Sequence, residues 1–180
     1  MINRKKSIKA SKVEIKKAET TDLESSFSVI NQCAIDLRKK GMNNWDRYTK
    51  DKVLDIIRSN EMFLLLVDNE VVGTINISQV PPSFFDASDM EKWESPDSKA
   101  YYFTLLATSP NHQGKGYGSC LIGFAEEFAK NENAEYLRLT MFPNNKPLKD
   151  YYLNKSFVFR HERVVDGLNL KLSFGEKKLV

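Results

Sequence analysis

The segment Gln113-Gly114-Lys115-Gly116-Tyr117-Gly118 follows an apolar run that ends at Ser109-Pro110, and it opens an amphipathic run. A strand-to-helix turn is expected at such a junction. Glycines in the turn let backbone N–H groups close on a phosphate, and the first turn of the following helix adds unpaired amides and the positive end of its dipole. The segment therefore predicts a turn that binds an anionic group, in particular a pyrophosphate.

The spacing of the glycines separates this turn from two common nucleotide sites. A dinucleotide-binding turn has the pattern G-x-G-x-x-G, and Ser119 stands where its third glycine would fall. A P-loop needs a Gly-Lys-Ser/Thr sequence that is absent here. The remaining pattern, Q-x-x-G-x-G over residues 113–118, resembles the acetyl-CoA signature of the GNAT superfamily of N-acetyltransferases. An ordinary glycine-rich turn is the alternative.

A second segment carries the same resemblance. Asn145, Tyr152 and Phe157 match the family pattern N-x₆-Y-E-K-x-G-F, and Lys155 lies near its lysine. Ser156 replaces the glycine that commonly ends this helix in a left-handed conformation, so a locally different turn is expected. The strand sequence Leu-Arg-Leu-Thr at 137–140 is also similar to that of bacterial small-molecule members.

Hydrophobic periodicity along the rest of the chain alternates between strand and helix patterns. Strands are predicted over residues 13–18, 62–67, 71–77, 101–108, 134–142, 157–163 and 168–174, the last two joined through Asp166-Gly167, and helices over residues 51–58, 116–130 and 148–154. A further helix is predicted to open with a capping box at Thr21 and Glu24 and to end at Gly41, and Thr49 is a candidate cap for the helix over 51–58.

This alternation predicts the α/β class, with a mixed sheet that helices cover on both faces. The resemblance implies more, namely the GNAT fold from about Val13 to Phe174. In that fold the central sheet is mixed and mostly antiparallel, and one pair of strands is splayed.

Length and composition favour a single domain over residues 1–180. The chain has 180 residues, of which 41% are hydrophobic, and it can therefore bury a core of its own. The net charge is +3, and the basic excess is concentrated at the N-terminus. Residues 1–11 are expected to form a solvated, partly disordered tail. Binding of nucleic acid or anionic lipid by this tail is the alternative, but no aromatic residues interleave with its charges, so neither partner is expected.

The two cysteines, Cys33 and Cys120, lie far apart in the sequence and in no metal-ligand spacing. Neither a disulfide framework nor a metal site is expected from them. Cys120 falls in the first turn of a predicted helix and is expected to be a small buried residue, with an acyl-accepting nucleophile as the alternative. The sequence has no run of about eighteen apolar residues and no secretory signal, so a cytoplasmic protein is expected.

The resemblance implies a site along the strand before the glycine turn. In GNAT enzymes the pantetheine arm of acetyl-CoA pairs with an exposed strand edge, which Leu106, Ala107 and Thr108 would supply. Their N–H groups would also polarise the thioester carbonyl. Asn145 and Tyr152 would contact the cofactor as well. The pyrophosphate would be held by Gln113, Gly114, Lys115, Gly116, Tyr117, Gly118 and Ser119.

Tyr152 is the residue that the resemblance assigns to catalysis. A tyrosine beside the sulfur can protonate the departing thiolate while remaining neutral at rest. Packing of Tyr152 into the core is the alternative. The base is less defined, because the strand over 101–108 contains no carboxylate. The candidates are the acidic stretch 86–97, His161, and a water molecule ordered by Tyr102 and Thr104.

Two features bear on the acceptor. The prolines in residues 78–99 predict an irregular loop, and its acidic stretch favours a cationic acceptor through electrostatic attraction. Trp45 would either line an acceptor pocket or pack in the core.

Together these observations predict an enzyme that transfers the acetyl group of acetyl-CoA directly to a primary amine. The acceptor is expected to be a small molecule or an exposed amino group of a peptide, and no metal is expected. A homodimer is left open. A noncatalytic acyl-CoA-binding sensor with the same fold is the alternative.

Overall fold

The computed structural model describes residues 11–42, 45–166 and 168–179. The predicted basic tail lies outside this part of the chain except for Ser11, and so does Gly167 of the predicted final turn. The described strands are β1 Val13–Lys17, β2 Met62–Val67, β3 Glu70–Ser78, β4 Ala100–Thr108, β5 Tyr136–Met141, β6 Val158–Val165 and β7 Leu170–Lys178. The α-helices are α1 Leu23–Lys39, α2 Lys50–Arg58, α3 Ala87–Met90, α4 Tyr117–Asn131 and α5 Lys146–Leu153. Each predicted strand and helix is present, and α3 is a short addition within the loop that was expected to be irregular.

The strands form one mixed sheet in the order β1-β2-β3-β4-β5-β7-β6. Neighbours are antiparallel except β4 and β5, which run parallel. A parallel pair needs a crossover connection, and α4 supplies it. The position of the glycine turn follows from this topology, because the turn connects β4 to its crossover helix.

Helices cover both faces of the sheet, as β2 shows most clearly. Met62 and Leu64 pack in a cluster with residues of α1 and α2, whereas Phe63 and Leu65 pack in a cluster with residues of α4. Successive residues of a strand point to opposite faces, so a strand covered on both sides must be apolar at every position. The predicted GNAT fold is confirmed in its mixed, mostly antiparallel sheet and its two helical layers.

The starts of the first two helices differ in how well the sequence predicted them. The expected capping box at Thr21 and Glu24 is wrong, because a 3₁₀ turn over Thr20–Asp22 precedes α1. The carboxylate of Asp22 accepts the Glu19 N–H at 2.9 Å. The predicted cap of α2 is confirmed, since the Thr49 hydroxyl accepts the Lys52 N–H at 3.4 Å.

The end of α5 corrects the expectation for Ser156. Ser156 has φ +67°, so it adopts the left-handed conformation that a glycine would take. Its N–H donates to the Leu153 carbonyl at 2.9 Å, and the Phe157 N–H donates to the Tyr152 carbonyl at 3.1 Å. These are the bonds of a Schellman motif, and Phe157 is buried directly after it. The turn is therefore retained, because its hydrogen bonds and the burial of Phe157 offset the strain at Ser156.

We predict that Ser156→Gly stabilises the protein. The left-handed conformation costs an L-residue about 1–2 kcal/mol, and glycine loses about 0.5–1 kcal/mol more backbone entropy on folding than alanine does. The net gain in the free energy of unfolding should be about 0.5–1 kcal/mol, measured by urea denaturation.

Ser59→Gly is the matched control, because Ser59 caps the end of α2 with an ordinary φ of −73°. This control should lose stability. A Ser156→Gly protein no more stable than the wild type would contradict the account of strain.

Candidate active site

The sheet opens between its two parallel strands. β4 and β5 pair only at the start of each strand, where Ala100, Tyr101 and Tyr102 lie opposite residues 136–138. From residue 103 to residue 108, β4 pairs with no described strand on that side. The backbone edge of this segment is therefore free beside a cleft.

A β-bulge on β4 accompanies the opening. The register between β3 and β4 shifts between Thr74 and Asn76, and Leu105 has φ +51° although it is not a glycine. The Thr74 hydroxyl donates to the Leu105 carbonyl at 2.9 Å and holds the bulge from the β3 side. A bulge bends its strand and increases the local twist, which turns the end of β4 away from β5.

Arg138 anchors the closed end of the cleft, where the pairing of the two strands ends. Its guanidinium is buried and donates to Glu176 at 3.2 Å, to the Tyr102 hydroxyl at 3.2 Å and to the Ser95 carbonyl at 3.0 Å. It also lies 4.7 Å from the centroid of the Trp93 ring. Glu176 is equally buried and also binds Arg160 at 2.8 Å, so removing Glu176 would leave the buried Arg138 without its counter-ion, whereas removing Arg138 would leave Glu176 paired with Arg160. The pair thus ties β4, β5 and β7 together where the cleft begins.

A cavity of about 210 Å³ occupies the cleft. It runs along the free part of β4, with α1, residues 45–48 and the end of β5 as its other walls. The sequence-predicted site residues that line it are Leu106, Ala107, Thr108, Gln113, Asn145 and Tyr152. The structure therefore brings both motifs to one cavity.

The remaining predicted residues form the turn at one end of this cavity. Gly114 and Gly116 have φ of +75° and +86°, and Gly116 is the N-cap of α4 with no side-chain cap. A Cβ added at either glycine would meet no described atom within 4 Å, so the space beside the turn is open. The amides of Tyr117, Gly118 and Ser119 belong to the first turn of α4, where backbone N–H groups lack helical partners. This arrangement fits an anion such as a pyrophosphate.

Two side chains connect the turn to the other elements. Gln113 Nε2 donates to the Thr108 carbonyl at 3.2 Å, which ties the turn to the free edge of β4. The Ser119 hydroxyl lies 2.9 Å from the Tyr151 hydroxyl, which ties α4 to α5. Lys115 is exposed at the turn. Asn145 caps α5, because its side-chain oxygen accepts the Leu148 N–H at 3.4 Å.

Tyr152 is both packed in the core and exposed to the cavity. Its ring is buried, with centroids 6.1 Å from Phe103 and 5.5 Å from Phe157, and its side chain also lines the cavity. Its hydroxyl has no hydrogen-bond partner within the described ranges. Burial, and to a smaller extent the neighbouring Tyr151, raise the pKa of Tyr152 well above its usual range, so the hydroxyl stays protonated.

The acidic stretch and His161 lie outside the cavity. Asp89 is fully buried and binds His161 Nε2 at 2.8 Å and Arg163 Nε at 2.7 Å. Glu94 pairs with Arg160. These contacts fasten the loop to β6 and neutralise much of its charge, so the stretch gives little reason to expect a cationic acceptor. Neither its carboxylates nor His161 are among the described residues that line the cavity, and they are therefore not placed to take a proton there.

The remaining base candidate was a water molecule ordered by Tyr102 and Thr104, and these two residues lie in different places. The Tyr102 hydroxyl is buried against Arg138, outside the cavity, whereas Thr104 lines the cavity. Asp36 of α1 is the only carboxylate among the described lining residues, and sequence reasoning missed it. The spacing of Cys33, Asp36 and Lys40 places them on one face of α1, but a charged helical residue alone is typical of a solvated surface.

The aromatic and cysteine predictions have mixed outcomes. Trp45 packs against two core clusters, as one of its predicted roles requires, and it also lines the cavity. The expected burial of Cys120 is wrong, because Cys120 is exposed. Cys33 is buried, and its thiol lies 3.3 Å from the Thr108 carbonyl. Burial is the main cause that raises the pKa of Cys33 to about 11, so this thiol is not a reactive thiolate.

The described ranges contain neither a group of metal ligands nor a membrane-spanning helix. Among these residues, no three His, Cys, Asp or Glu side chains are grouped so that they could hold a metal ion. None of the described helices combines the length and the apolar character needed to cross a membrane.

The fold and the cleft define an α/β protein whose sheet opens beside a glycine turn at the N-terminus of α4. The family model for the acetyltransferase (GNAT) family matches residues 29–157, which is most of the chain. The protein therefore belongs to the GNAT family of acetyltransferases. A comparison with curated proteins finds no significant match.

Solved structures of this family have the same fold. A GNAT-family acetyltransferase from Listeria monocytogenes aligns with a TM-score of 0.73 at 21% identity, over 93% of this chain and 95% of that chain. The PaiA N-acetyltransferase of Thermoplasma acidophilum, solved in complex with coenzyme A, aligns with a TM-score of 0.69 at 20% identity, over 93% and 99% of the two chains. YncA of Salmonella typhimurium, solved with its cofactor acetyl-CoA, aligns with a TM-score of 0.68 at 16% identity, over 94% and 95%. At these identities the similarity concerns the fold.

We predict that Asp89 contributes to stability in a pH-dependent way. Burial alone would raise the pKa of Asp89, but hydrogen bonds from Arg163, from the Asp86 N–H and from His161 outweigh it and lower the pKa to about 2. Since the unfolded pKa is about 3.9, this contribution is complete above that pH and is lost as the pH falls towards 2. Between pH 5 and pH 2, the free energy of unfolding should fall by about 2 kcal/mol less in Asp89→Asn than in the wild type.

Urea denaturation across this pH range measures the difference in slope, which does not depend on how stable the variant is at neutral pH. Asp97→Asn is the control, because Asp97 is an exposed carboxylate of the same loop, and it should keep the wild-type slope. Parallel curves for Asp89→Asn and the wild type would contradict the prediction.

Proposed function

We propose that this protein is an acetyl-CoA-dependent N-acetyltransferase that transfers the acetyl group directly to a primary amine of a small molecule or of an exposed peptide amino group. The observation that supports it best is the free backbone edge of β4, which leads from the cavity to the uncapped N-terminus of α4. The proposal includes a single catalytic domain and a cytoplasmic setting.

The donor site follows from this edge. The backbone edge at Leu106, Ala107 and Thr108 can form hydrogen bonds with the amide groups of a pantetheine arm, in the way that it would pair with an added strand. The turn from Gln113 to Ser119 can hold the pyrophosphate by backbone N–H groups, without a dedicated cationic side chain. When bound, acetyl-CoA supplies an acetyl group activated as a thioester.

The chain's own groups then have distinct tasks. Backbone N–H groups of β4 donate to the thioester oxygen, where negative charge develops during transfer. The Tyr152 hydroxyl donates its proton to the departing sulfur, and its raised pKa keeps that proton in place until then. An amine with a pKa near 10.4 carries an extra proton at pH 7.4, and removing it costs about 4 kcal/mol. We assign this proton to Asp36, directly or through water.

The proposed donor site predicts that Gly116→Val weakens coenzyme A binding. Its side chain would fill the open space beside the turn and keep phosphate oxygens from the amides of α4. The loss of one or two charge-assisted hydrogen bonds should raise the Kd for coenzyme A at least about tenfold, measured by isothermal titration calorimetry.

Gly41→Val provides a matched control, because Gly41 also has a positive φ, of +73°, and open space around it, but it lies at the end of α1. Both variants should lose similar stability, whereas only Gly116→Val should lose affinity. Unchanged coenzyme A binding by Gly116→Val would reject the turn as the pyrophosphate site.

The proposed acid predicts that Tyr152→Phe slows transfer without weakening donor binding. Removal of a general acid should lower kcat about 100-fold or more, measured as thiol release from acetyl-CoA across a panel of amines. The affinity for coenzyme A should stay within about twofold, since the ring is retained.

Tyr101→Phe is the control, because Tyr101 is a buried tyrosine of β4 that is not among the residues lining the cavity. Its kcat should equal that of the wild type. Equal rates for Tyr152→Phe and the wild type would remove Tyr152 from the acid role. A wild type that binds coenzyme A but releases no thiol with any amine would instead indicate the noncatalytic sensor.

A further inference from the structure

One wall of the cavity carries a cation that the proposed donor site does not use. Arg47 lines the cavity at the end of a 3₁₀ turn formed by Trp45–Arg47. Its guanidinium carbon lies 5.1 Å from the ring centroid of Tyr48 and 4.9 Å from that of Phe84. Two aromatic faces thus orient the planar group, as in cation–π contacts.

The Arg47 guanidinium faces a ring near the start of β4. That ring belongs to Phe84, which packs against the cluster that contains Tyr102, whereas Gln113 and the glycine turn follow Thr108 at the other end of the strand. We therefore assign the guanidinium to the acceptor side of the cavity.

The Arg47 guanidinium has N–H donors that no described side chain accepts. Among the described residues, its one hydrogen bond to a side chain is the bond that Nη2 donates to the Tyr48 hydroxyl at 3.2 Å. No ion pair among the described residues involves Arg47, and the residues outside them include no aspartate or glutamate. A guanidinium presents five donors in a fixed plane, which matches the two oxygens of a carboxylate.

The same cavity offers a group of opposite sign and an apolar wall. Asp36 is its carboxylate, and Trp45, Phe84 and Phe142 are lining aromatic residues. The volume of about 210 Å³ must also admit the end of the donor's arm, which leaves room for a small acceptor only.

We propose that the acceptor is a small zwitterion, an amino acid or a close analogue, whose carboxylate binds Arg47 and whose amine faces Asp36. This inference rests on the proposed function, because it treats the cavity as the place where an amine meets the acetyl donor. A hydrophobic side chain on the acceptor would contact the aromatic wall. Arg47 is then a specificity-determining residue for the reaction.

The test compares acceptors that differ only in the carboxylate. L-phenylalanine is paired with L-phenylalaninamide, and L-leucine with L-leucinamide. Binding to the protein saturated with coenzyme A is measured by calorimetry, and thiol release from acetyl-CoA is measured separately. The acids should bind roughly 10- to 100-fold more tightly than the amides, as expected for a charge-assisted pair.

Three variants test which residue causes the preference for acceptors with a carboxylate. Arg47→Gln should weaken the binding of the acids by about the same factor, while the affinities for the amides should stay within about twofold of the wild-type values. Asp36→Asn should weaken the binding of the acids and of the amides equally, because both kinds of acceptor carry the amine. Arg58→Gln, which neutralises an exposed arginine of α2 that is not among the lining residues, should change neither.

The outcomes separate this inference from the proposed function. Equal binding of acids and amides by the wild type, or a preference that survives Arg47→Gln, would overturn the inference and assign Arg47 to packing alone. Equal rates of thiol release from acetyl-CoA with the acids and with the amides would also overturn the inference, while the proposed acetyl transfer would stand. Tighter binding of the acids that depends on Arg47, without release of thiol from acetyl-CoA in the presence of any acceptor, would reject the proposed function and with it the acceptor role, and would leave Arg47 as a carboxylate-binding residue only.

Discussion

The loss of pairing between β4 and β5 beyond Tyr102 is the constraint on which the rest of the structure depends. A buried backbone group without a partner is costly, so a sheet does not open without a reason. Here the free edge from residue 103 to residue 108 faces a cavity, where water or a ligand can satisfy it. The bulge at Leu105 turns the strand, and the glycine turn begins where the strand ends. The cleft, the cavity and the position of the glycine turn beside them thus follow from one divergence of the two strands.

Forces on both sides keep this opening in place. At its closed end, Arg138 and Glu176 form a buried pair that joins β4, β5 and β7. On the two faces of the sheet, α1 and α4 pack against the same central strands and prevent the diverging ends from collapsing together. The acidic loop contributes to this frame as well, since Asp89 and Glu94 bind cations of β6. The acidic stretch, which the sequence analysis linked to a cationic acceptor, therefore has a structural role.

The sequence predictions succeeded where the backbone itself needs a particular residue. Gly114 and Gly116 have positive φ, and their spacing, together with the apolar run before them and the amphipathic run after them, identified the turn and its helix. The register of Asn145, Tyr152 and Phe157 identified α5 and its position, and these residues now lie beside the same cavity or behind it. Ser156 was misjudged because the tendency of one residue type is weaker than two hydrogen bonds and a buried phenylalanine. Cys120 was misjudged because the face that α4 presents to the sheet depends on packing.

By itself, the sequence determined the α/β class, the order of strands and helices, the GNAT resemblance and the location of the glycine turn. These features are local, because they depend on periodicity and on residues that follow one another in the chain. Only the tertiary structure decided that β4 has an edge without a strand partner, that Asp86, Asp89 and Glu94 of the loop are paired with cations, and that Asp36 and Arg47 share a cavity with Tyr152. Each of these properties depends on a contact between segments far apart in sequence, and local periodicity or motif spacing does not indicate which distant side chains will meet.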